Sequence, residues 1–179
     1  MKRSAGWILL LGTIMVGLVP HCPAATSIEN EIGEIKNLYA EINSLKLTST
    51  SVSMEDFAVE SGYMKVYRDP KGNVRKLVQV LGHEIGRLSR EYYLDNEEPR
   101  FVYEKLERYR HRLGESDEDS TVVGTEENRY YFAHGSLIRW VDEDKRRIPK
   151  TDHKFKEKQK EVLEYFDLLE KEWNDTKVY

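Results

Sequence analysis

A twelve-residue phrase occurs twice in this chain and constrains its fold more than any other feature. Tyr92–Tyr103 reads YYLDNEEPRFVY, Tyr130–Val141 reads YYFAHGSLIRWV, and the two align without gaps at an offset of 38 residues. Each copy is an aromatic β-prone run, a polar break of about four residues and a second apolar-aromatic run, the pattern of a hairpin. Two copies predict two hairpins of one sheet. A stacked array needs at least about three repeats. The third candidate, Tyr67–Leu77, matches only loosely, with extra residues at its turn.

Between Tyr63 and Asp142 the apolar period is two. Strands are expected at Tyr63–Tyr67, Val74–Leu81, Leu88–Leu94, Phe101–Tyr109, Asn128–Ala133 and Leu137–Asp142. The breaks between them are short and rich in Asp, Asn, Gly and Pro, except the polar loop Arg110–Glu127, so the strands run antiparallel as a six-stranded β-meander. Alternation gives the sheet two unlike faces. One carries Met64, Val66, Leu88, Tyr92, Leu94, Val102, Leu106, Tyr130, Phe132, Ile138 and Trp140, and is the expected core face. The other mixes tyrosine with charge: Tyr63, Lys65, Tyr67, Glu91, Tyr93, Tyr103, Lys105, Tyr131 and Arg139.

A single sheet needs a cover. Phe155, Val162, Phe166, Leu169 and Trp173 recur at helical spacing after Pro149, with Thr151 or Asp152 placed to cap, and predict a long C-terminal helix across the core face. Ile28, Ile32, Ile35, Tyr39 and Ile42 follow a 4-3-4-3 spacing and predict an N-terminal amphipathic helix alongside. Leu47–Ser53, rich in Ser and Thr, reads as a linker or an edge strand. The class is α+β.

The first 25 residues read as a signal peptide: Lys2 and Arg3, the apolar run Trp7–Val19, and Cys22-Pro23-Ala24-Ala25 with cleavage after Ala24 or Ala25. The run is short of the roughly 20 residues of a membrane span. Export to the periplasm or beyond is expected, with no stable membrane insertion after cleavage. Residues 26–61 then form the helix and linker, and residues 62–179 the β-meander domain with its C-terminal helix. Cys22, the one cysteine, leaves with the leader, so packing alone must hold the mature chain. Without Lys2 and Arg3 the chain has 26 basic against 32 acidic side chains, a net charge of −6. That balance argues against nucleic acid and anionic membrane surfaces as partners.

YYLDNEEPRFVYEKLERY and ENRYYFAHGSLIRWVDED, followed by a Phe-Lys-Glu-Lys helix, resemble a type of exported bacterial β-meander protein of uncharacterised function. The likeness runs from about Gly62 to Trp173, on motifs that are mainly hairpin grammar. A fainter likeness is to MORN-like hairpin repeats. The resemblance implies a bacterial origin and a meander fold, and carries no activity or catalytic residues. The first copy departs from the pattern with Glu97-Glu98-Pro99 where Gly-Lys-Leu is expected, which implies a differently built turn.

No catalytic, cofactor-binding or metal-binding constellation stands out. His83-Glu84 lacks the second histidine of a zinc-protease helix, since position 87 is Arg87. His134 occupies a turn position, where its backbone tolerance suits it. Asp117-Glu118-Asp119 and Asp142-Glu143-Asp144 do not follow the calcium-loop spacing. Three functional classes remain. The first is an exported, non-enzymatic binding or protein-interaction module for an envelope protein or polymer. It would act through the Tyr109–Asn128 loop or a candidate recognition face of Tyr63, Tyr67, Tyr93, Tyr103, Tyr131 and Arg139, since tyrosine suits surfaces where an apolar body and a polar tip both help. The second is a cell-envelope hydrolase using two of Asp69, Glu91, Glu104, Asp142 and Asp144. The third is a self-associating structural protein using the Ile28–Leu45 helix. Burial of the tyrosine face under the N-terminal helix would remove the motive for the first.

Overall fold

The structure, a computed structural model, describes residues 28–54, 61–83, 86–110 and 121–175. The signal segment, Glu84, His111 and Asp117-Glu118-Asp119 lie outside the described residues. Helix α1 (Ile28–Ser44) is followed by β1 (Thr48–Ser53), β2 (Ser61–Arg68), β3 (Val74–His83), β4 (Gly86–Asp95), β5 (Glu98–Arg110), β6 (Thr121–Ala133), β7 (Ser136–Val141), β8 (Arg147–Ile148) and helix α2 (His153–Asp175). The strands form one antiparallel sheet in the order β1 to β8, each paired with its neighbours in the chain.

The six expected strands are β2 to β7, and the sheet has eight. β1 and β8 are its edges. Edge strands bury little, so β1 is a Ser/Thr run with one buried residue, Val52, and β8 is only two residues long. Strand β6 begins at Thr121, so the end of the expected Arg110–Glu127 loop is strand paired with β5.

Both faces are covered. Adjacent residues divide between them as the pleat requires. Tyr92, Tyr130 and Trp140 join Met64, Val66, Leu77 and Val102 beneath Phe155, Val162, Phe166, Leu169 and Trp173 of α2. Asp152 caps that helix, its carboxylate accepting from the Lys154 N–H at 2.9 Å. On the opposite face Tyr93 and Phe101 pack against Ile32, Ile35 and Ile42 of α1. Ile32, Ile35 and Ile42 of the α1 stripe are therefore spent within the chain, while Ile28 and Tyr39 stay exposed.

Three hairpins carry the same irregularity. Tyr93 pairs with Phe101 and Leu94 with Pro99, which leaves Arg100 as an extra residue in β5. Tyr131 pairs with Arg139 and Phe132 with Leu137, leaving Ile138 extra. Tyr67 pairs with Lys76 and Arg68 with Val74, leaving Arg75 extra. A bulge breaks the alternation. For that reason Ile138, expected beside Trp140 on the core face, packs on the α1 side. The loosely matching third copy is thus a structural copy at its bulge.

The turns of the two main hairpins also coincide. Asn96 and Glu97 have φ of 51° and 65°, His134 and Gly135 of 52° and 68°. Left-handed backbone at both positions of a two-residue loop is the primed turn that matches strand twist. The departure at Glu97 does not change the turn: Glu97 adopts the conformation that glycine holds in the second copy.

Candidate functional site

The bulges decide what the outer face presents. Tyr67, Lys76, Tyr93, Phe101, Tyr131 and Arg139 form one cross-strand row from β2 to β7. Lys65, Val78, Glu91, Tyr103, Arg129 and Val141 form the next. Helix α1 lies over the first row and is clasped by arginines from three strands. Arg75 of β3 pairs with Glu41 at 3.0 Å, Arg100 of β5 with Glu31 at 3.2 Å, and Arg139 of β7 with Glu29. Two of these arginines are bulge residues, which the extra residue turns toward the helix.

The six residues of the candidate recognition face therefore part company. Tyr93 is 1% exposed, wedged under α1 with its ring 4.8 Å from that of Tyr39. Its hydroxyl donates to Glu91 at 2.7 Å and accepts from Lys76 at 2.9 Å, while Lys76 and Glu91 pair at 2.7 Å. Burial and the Glu91 carboxylate push its ionisation far above the ordinary phenol value. Arg139 is committed to Glu29. Tyr63, 43% exposed, stands two strands' pleats away with Lys65 over its ring at 5.6 Å. Tyr67 is half-buried on β2, next to the edge strand. Tyr103 and Tyr131 remain together, both half-buried. No contiguous exposed tyrosine patch exists among the described residues.

Tyr103 and Tyr131 instead form part of a groove of about 460 Å³ beside α1. Ile35, Lys36 and Tyr39 make its helical wall, and Phe101, Tyr131, Glu91, Tyr103 and Arg129 its sheet side. The Phe101 and Tyr131 rings lie 5.0 Å apart, and Tyr39 meets Phe101 edge-on at 5.6 Å. The Arg129 guanidinium sits 5.3 Å from the Tyr103 ring and pairs with Glu127 at 2.6 Å. Burial and its hydrogen bond to Glu127 push the Tyr103 hydroxyl up to about 12, so it is a neutral donor near pH 7. Glu91 is neutralised by Lys76. Among the described residues Lys36 joins no ion pair, and its positive charge acts at longer range on Glu29. Sequence reasoning missed Lys36, Phe101 and Arg129 as a group, because only the docked position of α1 joins them.

The carboxylates open to a hydrolytic role are each engaged. Asp69 accepts three hydrogen bonds from Lys71 and Asn73 within its turn. Glu104 is buried against Arg90 at 2.7 Å and accepts from the Tyr130 hydroxyl at 3.2 Å. Asp142 and Asp144 both meet the exposed Arg146, at 2.8 and 2.7 Å. Among the described residues no cluster of three or more His, Cys, Asp or Glu is placed to hold a metal. No described helix is long and apolar enough to cross a membrane.

Fold and groove together define a class: a helix-covered antiparallel meander with an aromatic cleft at the edge of its N-terminal helix. No family model, curated protein or solved structure matches the chain.

Proposed function

We propose that this is an exported, non-enzymatic binding module of the bacterial envelope, and that its ligand seats in the groove between α1 and the Phe101–Tyr131 side of the sheet. The observation that supports this reading is the groove's lining. Half-exposed rings offer flat apolar contact, their hydroxyls and Arg129 offer hydrogen bonds, and Lys36 offers charge. Binding sites are concave, with a few polar groups fixing orientation on an apolar surface. A ligand with ring faces and carboxylates fits that lining, and an envelope polymer supplies both.

Co-sedimentation with purified peptidoglycan sacculi, whose strands carry sugar rings and carboxylates, tests the reading. Wild-type protein is expected in the pellet, Lys36→Glu and Tyr103→Ala in the supernatant, and Tyr63→Ala in the pellet. Failure of the wild type to pellet, or equal loss with Tyr63→Ala, would count against it.

A further inference from the structure

Resting on the groove as the seat of the envelope polymer, we propose that what it recognises is the glycan strand and not the peptide. The ligand unit is an acidic pyranose whose ring lies on Tyr39, whose hydroxyls meet Glu91 and Arg129, and whose carboxylate meets Lys36. The three charged side chains of the lining are not equivalent, and their difference selects the ligand.

Glu91 and Arg129 carry their own counter-ions. Lys76 lies 2.7 Å from Glu91 Oε2, the oxygen that also accepts from Tyr93, and Glu127 lies 2.6 Å from Arg129. An ammonium approaching Glu91 meets the charge of Lys76, and a carboxylate approaching Arg129 meets that of Glu127, so neither attracts an ion strongly. Both keep hydrogen-bonding capacity. A carboxylate accepts up to about four hydrogen bonds and a guanidinium donates up to about five. Among the described residues, the contacts of Glu91 and Arg129 use only part of each. The two stand on either side of Tyr103, on β4 and β6. An acceptor and a donor without net charge suit neutral groups that both give and take hydrogen bonds, as hydroxyls do.

Lys36 differs. It joins no ion pair among the described residues, and its charge acts at longer range on Glu29. Glu29 is already held by Arg139 and lies 3.7 Å from Arg147. The cations around Glu29 therefore outnumber it. A ligand carboxylate is attracted here, and an ammonium is repelled.

The rings supply the rest. Tyr39 is 44% exposed, with its ring 4.8 Å from that of Tyr93 and 5.6 Å from Phe101, which it meets edge-on. Its face is electron-rich, and the C–H side of a pyranose is the complementary surface. An apolar face, hydroxyls at the ring edge and one carboxylate are the inventory of an acidic sugar. Stem peptides bring ammonium groups, which Lys36 opposes.

Calorimetric titration of the full chain with soluble fragments of peptidoglycan tests this. Amidase digestion yields glycan strands, which keep their lactyl carboxylates, and free stem peptides. The strands are expected to bind and the peptides not. Amidating the strand carboxylates should weaken binding about tenfold, the scale of one charge-assisted hydrogen bond. In Lys36→Gln, at an exposed helix position, native and amidated strands should bind equally, at the weaker level. Arg129→Lys should weaken both alike and leave their ratio in place. Equal binding of native and amidated strands by the wild type overturns the sugar assignment. Binding of the peptides, or pelleting with sacculi without any binding of strands, also overturns it, and each leaves the groove reading standing. A wild type that does not pellet with sacculi removes both.

Discussion

Tyr92 and Tyr93 are adjacent in the chain and both buried, yet each lies beneath a different helix: Tyr92 meets Phe166 of α2 at 5.6 Å, and Tyr93 meets Tyr39 of α1 at 4.8 Å. Their hydroxyls differ as sharply. That of Tyr92 has no hydrogen-bond partner among the described residues, and that of Tyr93 is held by Lys76 and Glu91. Removing an unpartnered buried hydroxyl relieves a desolvation cost, whereas removing a paired one strands its partners. Tyr92→Phe is therefore expected to be neutral or stabilising, and Tyr93→Phe to cost about 1–3 kcal/mol. Urea unfolding of the two variants measures both. Equal destabilisation would contradict the assignment.

Glu97 holds a left-handed conformation at φ 65° on an exposed turn. Glycine adopts that backbone without a Cβ penalty. Glu97→Gly should stabilise the fold by about 1 kcal/mol, and Gly135→Ala should destabilise it by a similar amount. Thermal midpoints would move in opposite directions, and a lowered midpoint for Glu97→Gly would refute the turn geometry.

Arg90 and Glu104 form an ion pair on the α2 face, with side chains 13% and 12% exposed. Breaking such a pair from one side leaves a buried charge, at a cost of about 3–5 kcal/mol, while replacing both partners with apolar residues is often neutral. Glu104→Leu should be strongly destabilising alone and largely rescued by Arg90→Met. A double-mutant cycle in denaturant reads the coupling directly, and simple additivity would show that the pair is not the buried unit described.

Burial raises the ionisation of Tyr92, Tyr93 and Tyr130 well above the ordinary phenol value. Below about pH 10 all three are protonated whether the chain is folded or not, and stability is unaffected. Above it the unfolded chain releases these protons and the folded chain keeps them. Stability then falls with rising pH, by about 1.4 kcal/mol per pH unit for each tyrosine. Phenolate absorbance from the buried set should therefore appear together with loss of near-ultraviolet dichroism. Full tyrosine ionisation in a still-folded protein would rule this out.

Much of the sheet was legible because hairpins announce themselves through period-two alternation and turn residues. Helix α2 was equally plain, and all five residues of its main stripe are buried. What escaped has physical reasons. β8 is too short to write an apolar pattern, and β1, the edge-strand alternative read for Leu47–Ser53, buries only Val52. The bulges leave no mark in a single strand, since Arg100 and Ile138 look like ordinary alternating residues until their partners are known. Tyr93 and Tyr131 read as a half-exposed face because the charges among them suggested solvent. Those charges instead reach α1, where Glu29, Glu31 and Glu41 wait for them. The groove was hidden for the same reason: it needs the helix in place before Lys36 and Tyr103 belong together.

The meander order has a consequence in time. Every strand finds its partner within a short stretch of chain, so the sheet can assemble hairpin by hairpin with little loop-closure cost. Helix α1 has no such advantage. Glu29 meets Arg139 across 110 residues, and Tyr93 and Phe101 follow α1 by some fifty residues or more. The segment that is synthesised before the whole sheet must wait for nearly all of it, and the groove it borders is the final part of the molecule to acquire its shape.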